Sequence, residues 1–281
     1  MAFARRLAFT SATYYAASMS SEPEYLSVGD PRRRIAIRAR EGTTPGLIWL
    51  GGFKSDMKGT KAVALDEHAA KSGRACIRFD YSGHGESSEK FEDGTISAWL
   101  EDALAVFKNR AKGPQIVVGS SMGGWMALLL ARALASDPSL SQNAKLGGLV
   151  LIAPAPDFTE ELMWKNFPEE VKDEIETKGQ WERPSVYGDD PYPITKRLIE
   201  DGRKHLIMGK PIQVNCPVRI LQGVLDPDVP WQHAMKLVSC LAQDDVTITL
   251  VKDGDHRLSR PEDIERLLKT VDELAAEISA K

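Results

Sequence analysis

Two serines stand side by side in Gly119-Ser120-Ser121-Met122-Gly123-Gly124-Trp125, directly after the apolar run Ile116-Val117-Val118. Only one register fits G-x-S-x-G, and it makes Ser121 the candidate nucleophile; Ser120 in that role needs glycine where Val118 and Met122 stand. The glycines answer a steric demand, since a serine on a tight strand-to-helix turn leaves no room for side chains two residues to either side. The helix that follows turns its free N-terminal amides toward developing negative charge. A serine hydroxyl is a weak nucleophile at neutral pH, so it needs a base, and the base needs a carboxylate to orient it.

Both occur later in the chain, in the order Ser, Asp, His. Asp226 lies just past the apolar stretch Val218-Arg219-Ile220-Leu221, with Asp228 a rival two residues on; either could instead cap the helix that starts near Trp231. His256 follows the last apolar strand, in Asp253-Gly254-Asp255-His256-Arg257, and is the candidate base. His68, His205 and His233 read as surface or packing residues. His84, in the glycine-rich turn Asp80-Tyr81-Ser82-Gly83-His84-Gly85, reads as structural, with a place in a pocket wall as the alternative. A tetrahedral oxyanion requires two preorganised donors, and the backbone amides of Met122, after the nucleophile, and Phe53, after Gly51-Gly52, are assigned to it. This chemistry requires no metal or organic cofactor.

These side chains need a scaffold that brings strand ends together. Arg34 to Arg38 alternates as a half-buried edge strand does, whereas Leu47-Ile48-Trp49-Leu50 is continuously apolar, as a central strand is. A βα rhythm follows: helix near 59–72, strand 75–79, helix near 95–111, strand 115–118, helix near 122–136 and strand 149–153. Such alternation predicts right-handed crossovers on a mostly parallel sheet flanked by helices, an α/β class. The rhythm breaks from about 154 to 211, resumes with strand 218–221, a helix from about Trp231 and strand 246–251, and ends in an amphipathic helix. The interruption, after the sixth strand, is expected to be a small helical cap over the carboxyl ends of the strands, where such sheets bind ligands. Its Phe158, Leu162, Met163, Trp164 and Phe167 suit an acyl chain, and its Arg183, Lys196, Arg197, Arg203 and Lys204 suit an anionic leaving group. Trp164 and Arg183 are the cap residues assigned to substrate.

The chain has 281 residues, enough for one large domain, and its net charge of −4 argues against a nucleic-acid partner, which needs a basic surface. No apolar run is long enough to insert stably in a membrane. Cys76, Cys216 and Cys240 are scattered and form no metal-binding spacing, which favours a reducing compartment. Residues 1–21 carry Arg5, Arg6 and many Ser, Thr and Ala, with no acidic residue before Glu22. That is transit-peptide composition, or equally a disordered extension or a start at Met19. The expected organisation is an extension over 1–28 and a catalytic domain over 29–281.

In motif order and spacing the chain resembles the α/β-hydrolase superfamily. "GTKA" (59–62), "ACIRFDYSGHGESS" (75–88), "GPQIVVGSSMGGW" (113–125), "VNCPVRILQG" (214–223), "VPW" (229–231) and "DHR" (255–257) resemble the α/β-hydrolase-domain subgroup that contains the mitochondrial acyl-glucuronide esterase and palmitoyl-protein thioesterase. The resemblance implies a serine esterase or thioesterase with Ser121, Asp226 and His256 as its triad. Its substrate would be a small molecule or an acylated protein, and its place the mitochondrial matrix in a eukaryote or the cytoplasm in a bacterium. A general carboxylesterase or a non-catalytic binding protein of the same fold are the alternatives; a dehalogenase would want Asp at position 121.

The register carries a prediction. Ser121→Ala is expected to abolish labelling by a serine-directed phosphonate and to lower turnover by at least about 10³-fold, while Ser120→Ala costs far less. Labelling that survives in folded Ser121→Ala and vanishes in Ser120→Ala would reverse the assignment.

Overall fold

Strand β1 (Glu24–Val28) runs antiparallel to β2 (Arg33–Arg40), and β3 (Thr43–Leu50) opens the parallel part of the sheet. The chain continues through α1 (Thr60–Ser72), β4 (Arg74–Phe79), α2 (Ile96–Arg110), β5 (Gly113–Ser120), α3 (Met122–Ser136) and β6 (Ala144–Ile152). The cap follows, with α4 (Glu169–Lys178), β7 (Gln180–Arg183), β8 (Tyr192–Thr195) and α5 (Lys196–Gly202), and then β9 (Val218–Gly223), α6 (Trp231–Cys240), β10 (Val246–Val251) and α7 (Pro261–Ser279). This computed structural model describes residues 22–184, 191–241 and 244–280. Eight strands form one sheet in the order β1-β2-β4-β3-β5-β6-β9-β10, parallel from β4 onward, and β7 and β8 pair separately.

The central strands are apolar on both faces because both faces are covered. Leu47, Ile116 and Val150 pack with Ala62 and Leu65 of α1 and Leu267 and Val271 of α7. Ile48, Val117 and Leu151 pack on the other side with Trp99 and Phe107 of α2 and Trp125 of α3. Cap residues Phe158, Ile175, Ile194 and Leu198 join this second cluster.

The cap is also fastened by two acidic side chains. Asp157, 2 % exposed, accepts hydrogen bonds from the amides of Ile207 and Met208 at 2.7 to 3.1 Å. Asp201, on α5, accepts from the amide and hydroxyl of Ser97 at the start of α2, at 2.7 and 2.9 Å. Desolvation opposes ionisation of Asp157, whose pKa is raised, so its hydrogen bonds offset a real burial cost.

Three expectations need correction. The extension expected over 1–28 does not hold in full: Glu24–Val28 form β1, and residues 1–21 lie outside the described residues. β1 escapes a pattern search because only Val28 in it is buried and its partner supplies the order. For the same reason β2 is not an edge strand; it lies between β1 and β4, and Ile35, Ala36 and Ile37 are all buried. The cap, expected to be helical, also holds the β7–β8 ribbon.

Deleting residues 1–21, which lack apolar periodicity, is expected to leave activity and Tm nearly unchanged. Extending the deletion through Val28 should lower Tm by at least about 4 °C, since it strips a strand and bares β2. Equal midpoints for the two truncations, in thermal unfolding, would contradict the role given to β1.

Candidate active site

Ser121 occupies the turn between β5 and α3 with φ 54° and ψ −117°, a conformation that L side chains rarely adopt. Its amide donates to the Ile152 carbonyl at 2.9 Å, and its carbonyl accepts from the amides of Gly124 at 2.9 Å and Ala155 at 3.1 Å. The glycines at this turn are obligatory. A Cβ on Gly119 would lie 2.3 Å from the Gly123 carbonyl oxygen, and one on Gly123 would lie 2.0 Å from that of Leu50. Ser120 is buried at the end of β5, and among the described residues no histidine bonds to it.

Asp226 and His256 reach Ser121 through sheet register. β9 and β10 pair in parallel with Gly223 opposite Val251, so the loops after them leave the sheet together. They touch so closely that a Cβ on Gly223 would meet the Gly254 and Asp255 carbonyl oxygens at 2.4 and 2.6 Å, and the Leu225 amide donates to the Gly254 carbonyl at 2.9 Å. Asp226 and His256 are thereby adjacent. His256 Nδ1 lies 2.8 Å from Asp226 Oδ2, and its Nε2 lies 3.1 Å from Ser121 Oγ.

The Asp226 side chain is fully buried and accepts at Oδ1 from the amides of Asp228 and Val229, both at 2.9 Å, and at Oδ2 from Gln222 Nε2 at 3.2 Å. Such a carboxylate fixes the imidazole tautomer with Nδ1–H toward Asp226, leaving Nε2 free to accept from the serine hydroxyl. Asp228 faces Arg183 at 3.9 Å instead. Asp226, Asp228 and His256 are also the one group of metal-ligating type among the described residues, with donor atoms within 4.8 Å of one another. Their hydrogen bonds to each other and to amides suit an oriented imidazole better than a metal.

A cavity of about 730 Å³ opens over Ser121. Phe53 and Met122 line it beside the serine, and Met122, at the first position of α3, has no carbonyl a turn earlier to receive its N–H. A Cβ on Gly52 would lie 3.5 Å from the Ser121 Cβ, so the loop carrying Phe53 sits directly against Ser121. His84 backs this loop from within the core. Its Nε2 is 3.2 Å from the Lys54 amide and its Nδ1 3.2 Å from the Ser82 carbonyl, and burial pulls its pKa down to about 4. The neutral ring donates at Nδ1 and accepts at Nε2, which gives His84 the task of holding the loop. The spacing of Asp80 to Gly85 in sequence shows a turn but not this contact.

The remaining histidines do other work: His68 pairs with Asp272, His205 meets Ser97, and His233 bonds the Pro156 carbonyl. Of the cap residues singled out, Phe158, Leu162, Met163 and Arg183 line the cavity. Trp164 is not in its lining and lies under the Arg203 guanidinium, and Phe167 packs edge-on against Trp181. Lys196, Arg197, Arg203 and Lys204 pair with Glu176, Asp93, Glu160 and Asp201 away from the cavity. Sequence reading missed Gln222, which steadies Asp226, and Lys61, Arg257 and Tyr192 in the cavity wall.

Comparison with known proteins agrees with this architecture. Residues 42–267 match the family described as the alpha/beta hydrolase family. The mitochondrial palmitoyl-protein thioesterase ABHD10 of Homo sapiens is 38% identical over 246 residues, 87% of this chain and 78% of that protein. A protein of Agrobacterium vitis S4 described as a hydrolase superposes with a TM-score of 0.87 at 47% identity, over 92% of this chain and 99% of its own. Mouse alpha/beta hydrolase domain-containing protein 10 superposes with a TM-score of 0.80 at 36% identity, over 93% and 99%.

The two aspartates can be separated by experiment. Asp226→Asn is expected to lower turnover of an activated ester by about 10³- to 10⁴-fold, because an amide facing Nδ1 upsets the tautomer. Asp228→Asn should cost less than about tenfold. The reverse order in steady-state kinetics would move the acid to Asp228.

Proposed function

The chain belongs to the alpha/beta hydrolase family, and from that premise we propose that it cleaves carboxylic ester and thioester bonds through an acyl-enzyme formed on Ser121. The observation that carries this reading is the placement of His256 between the Ser121 hydroxyl and the buried Asp226 carboxylate. In the proposed cycle His256 Nε2 takes the Ser121 proton as Oγ attacks the carbonyl carbon. The Phe53 and Met122 amides receive the oxyanion, and the protonated Nε2 returns the proton to the departing alcohol or thiol. Water, activated by the same imidazole, then releases the acid. No step requires a metal or organic cofactor.

The substrates proposed are palmitoyl and other acyl-protein thioesters and acyl glucuronides. Similarity to a palmitoyl-protein thioesterase supports the first, and so does the apolar wall made by Phe158, Leu162, Met163 and Ile194. Arg183 at the cavity supports a charged group on part of the substrate, although its pairing with Asp228 weakens that role. Residues 24–281, from β1 onward, are proposed to act as one catalytic domain with 154–211 as its cap. In a eukaryotic source the mitochondrial relatives and the composition of residues 1–21 support a matrix location; in a bacterial source the cytoplasm is proposed.

Purified protein is expected to turn over long-chain acyl thioesters and esters with a burst of the first product and to leave peptide amides intact. Absence of turnover across esters, thioesters and glucuronides, together with no phosphonate labelling at Ser121, would point to a binding protein.

A further inference from the structure

The cavity is asymmetric about Ser121. Cap residues Phe158, Leu162 and Met163 make one wall apolar, while Lys61 from α1 and Arg257 and Ser259 from the loop after β10 make the wall beside His256 polar. General acid catalysis decides which wall meets which half of a substrate. The proton released from His256 Nε2 must reach the leaving heteroatom, so the leaving group lies on the His256 side and the acyl chain lies under the cap. Arg257 is the next residue after His256.

Lys61 Nζ donates to the Arg257 carbonyl and to Ser259 Oγ at 3.3 Å, which leaves a third N–H without a partner among the described residues. Neither Lys61 nor Arg257 is within ion-pair distance of a carboxylate among the described residues. The five cap cations singled out in the sequence differ: Arg183, Lys196, Arg197, Arg203 and Lys204 each have a carboxylate partner. Burial first, and the Arg257 charge second, pull the Lys61 ammonium down to about 8. The Arg257 charge opposes that of Lys61 while Asp255 and Asp263 attract it from beyond ion-pair distance, and an anion at this wall would be favoured by both cations.

Building on the hydrolytic reading above, we propose that Lys61 and Arg257 form a subsite for a carboxylate or phosphate carried by the leaving alcohol or thiol. For a thioester, Ser121 Oγ forms the bond to the carbonyl carbon, the C–S bond breaks with its electron pair on sulfur, and His256 delivers the proton there. The anion a few atoms beyond the sulfur rests between the two cations. The subsite thus selects the leaving group, while the apolar wall selects the acyl chain.

Three thioesters of one acyl chain test this: the S-acyl derivatives of thioglycolate, mercaptoethyl phosphate and neutral mercaptoethanol. The readout is the ratio of kcat/KM for each anionic substrate to that for the neutral one, in which a disturbed His256 loop cancels. Lys61→Met and Arg257→Gln are each expected to lower the ratio about tenfold or more relative to the unsubstituted enzyme, and Arg257→Lys to retain most of it. The anion whose ratio falls further identifies the preferred source, carboxylate or phosphate. A ratio unmoved by both substitutions would overturn the subsite while leaving hydrolysis intact. A ratio that falls instead in Arg183→Gln would overturn it by placing the anion under the cap. Failure of the unsubstituted protein to cleave any of the three would overturn the hydrolytic reading and the subsite together.

Discussion

How closely the first turn of α3 can approach the ends of β3 and β5 governs the floor of the cavity. Gly123 sits where a methyl group would overlap the Leu50 carbonyl, and Gly124 where one would come within 2.8 Å of the Pro154 side chain. Three strand ends therefore converge on one turn. Ser121 is forced to positive φ, a conformation costing about 1 to 3 kcal/mol that surrounding structure must sustain. The bonds from Ser121 to Ile152, Gly124 and Ala155 supply that support and lift the hydroxyl out of the strand toward the cavity.

A second constraint acts at the other side of the serine. Burying a carboxylate is costly unless hydrogen bonds replace its water, and Asp226 receives them from Gln222 and from two successive backbone amides in its own turn. The Asp226-Pro227-Asp228-Val229 turn is thus shaped around its own carboxylate. A buried, fully bonded acid is fixed in place, and it is ready to stabilise positive charge on His256 without rearranging. The β9–β10 register links this turn to the histidine loop, so one strand pairing sets both residues.

The parts of the fold that were readable in sequence were those dictated locally. Ser121 is marked by glycines two residues to either side, and Asp226 and His256 by their positions just past apolar strands, so their proximity follows from a parallel sheet. Contacts between distant loops leave no such mark. Nothing near His84 signals that its ring receives the Lys54 amide, and nothing near Lys61 signals that it reaches the Arg257 carbonyl almost two hundred residues away. Trp164 and Phe167 show the limit of composition: aromatic residues in a cap fill its own packing as readily as a ligand cavity. β1 was missed because a five-residue edge strand with only one buried side chain has too little pattern to separate it from an extension.

The carboxylates that tie down the cap bear on the thermodynamics of ligand entry. Asp157 and Asp201 spend their bonds on Ile207, Met208 and Ser97, groups of the protein itself, so the fastening of the roof calls on no ligand atom. An incoming chain then loses its own conformational freedom but need not order the protein as well. Preorganisation of this kind shifts discrimination from what a ligand can induce to what already fits.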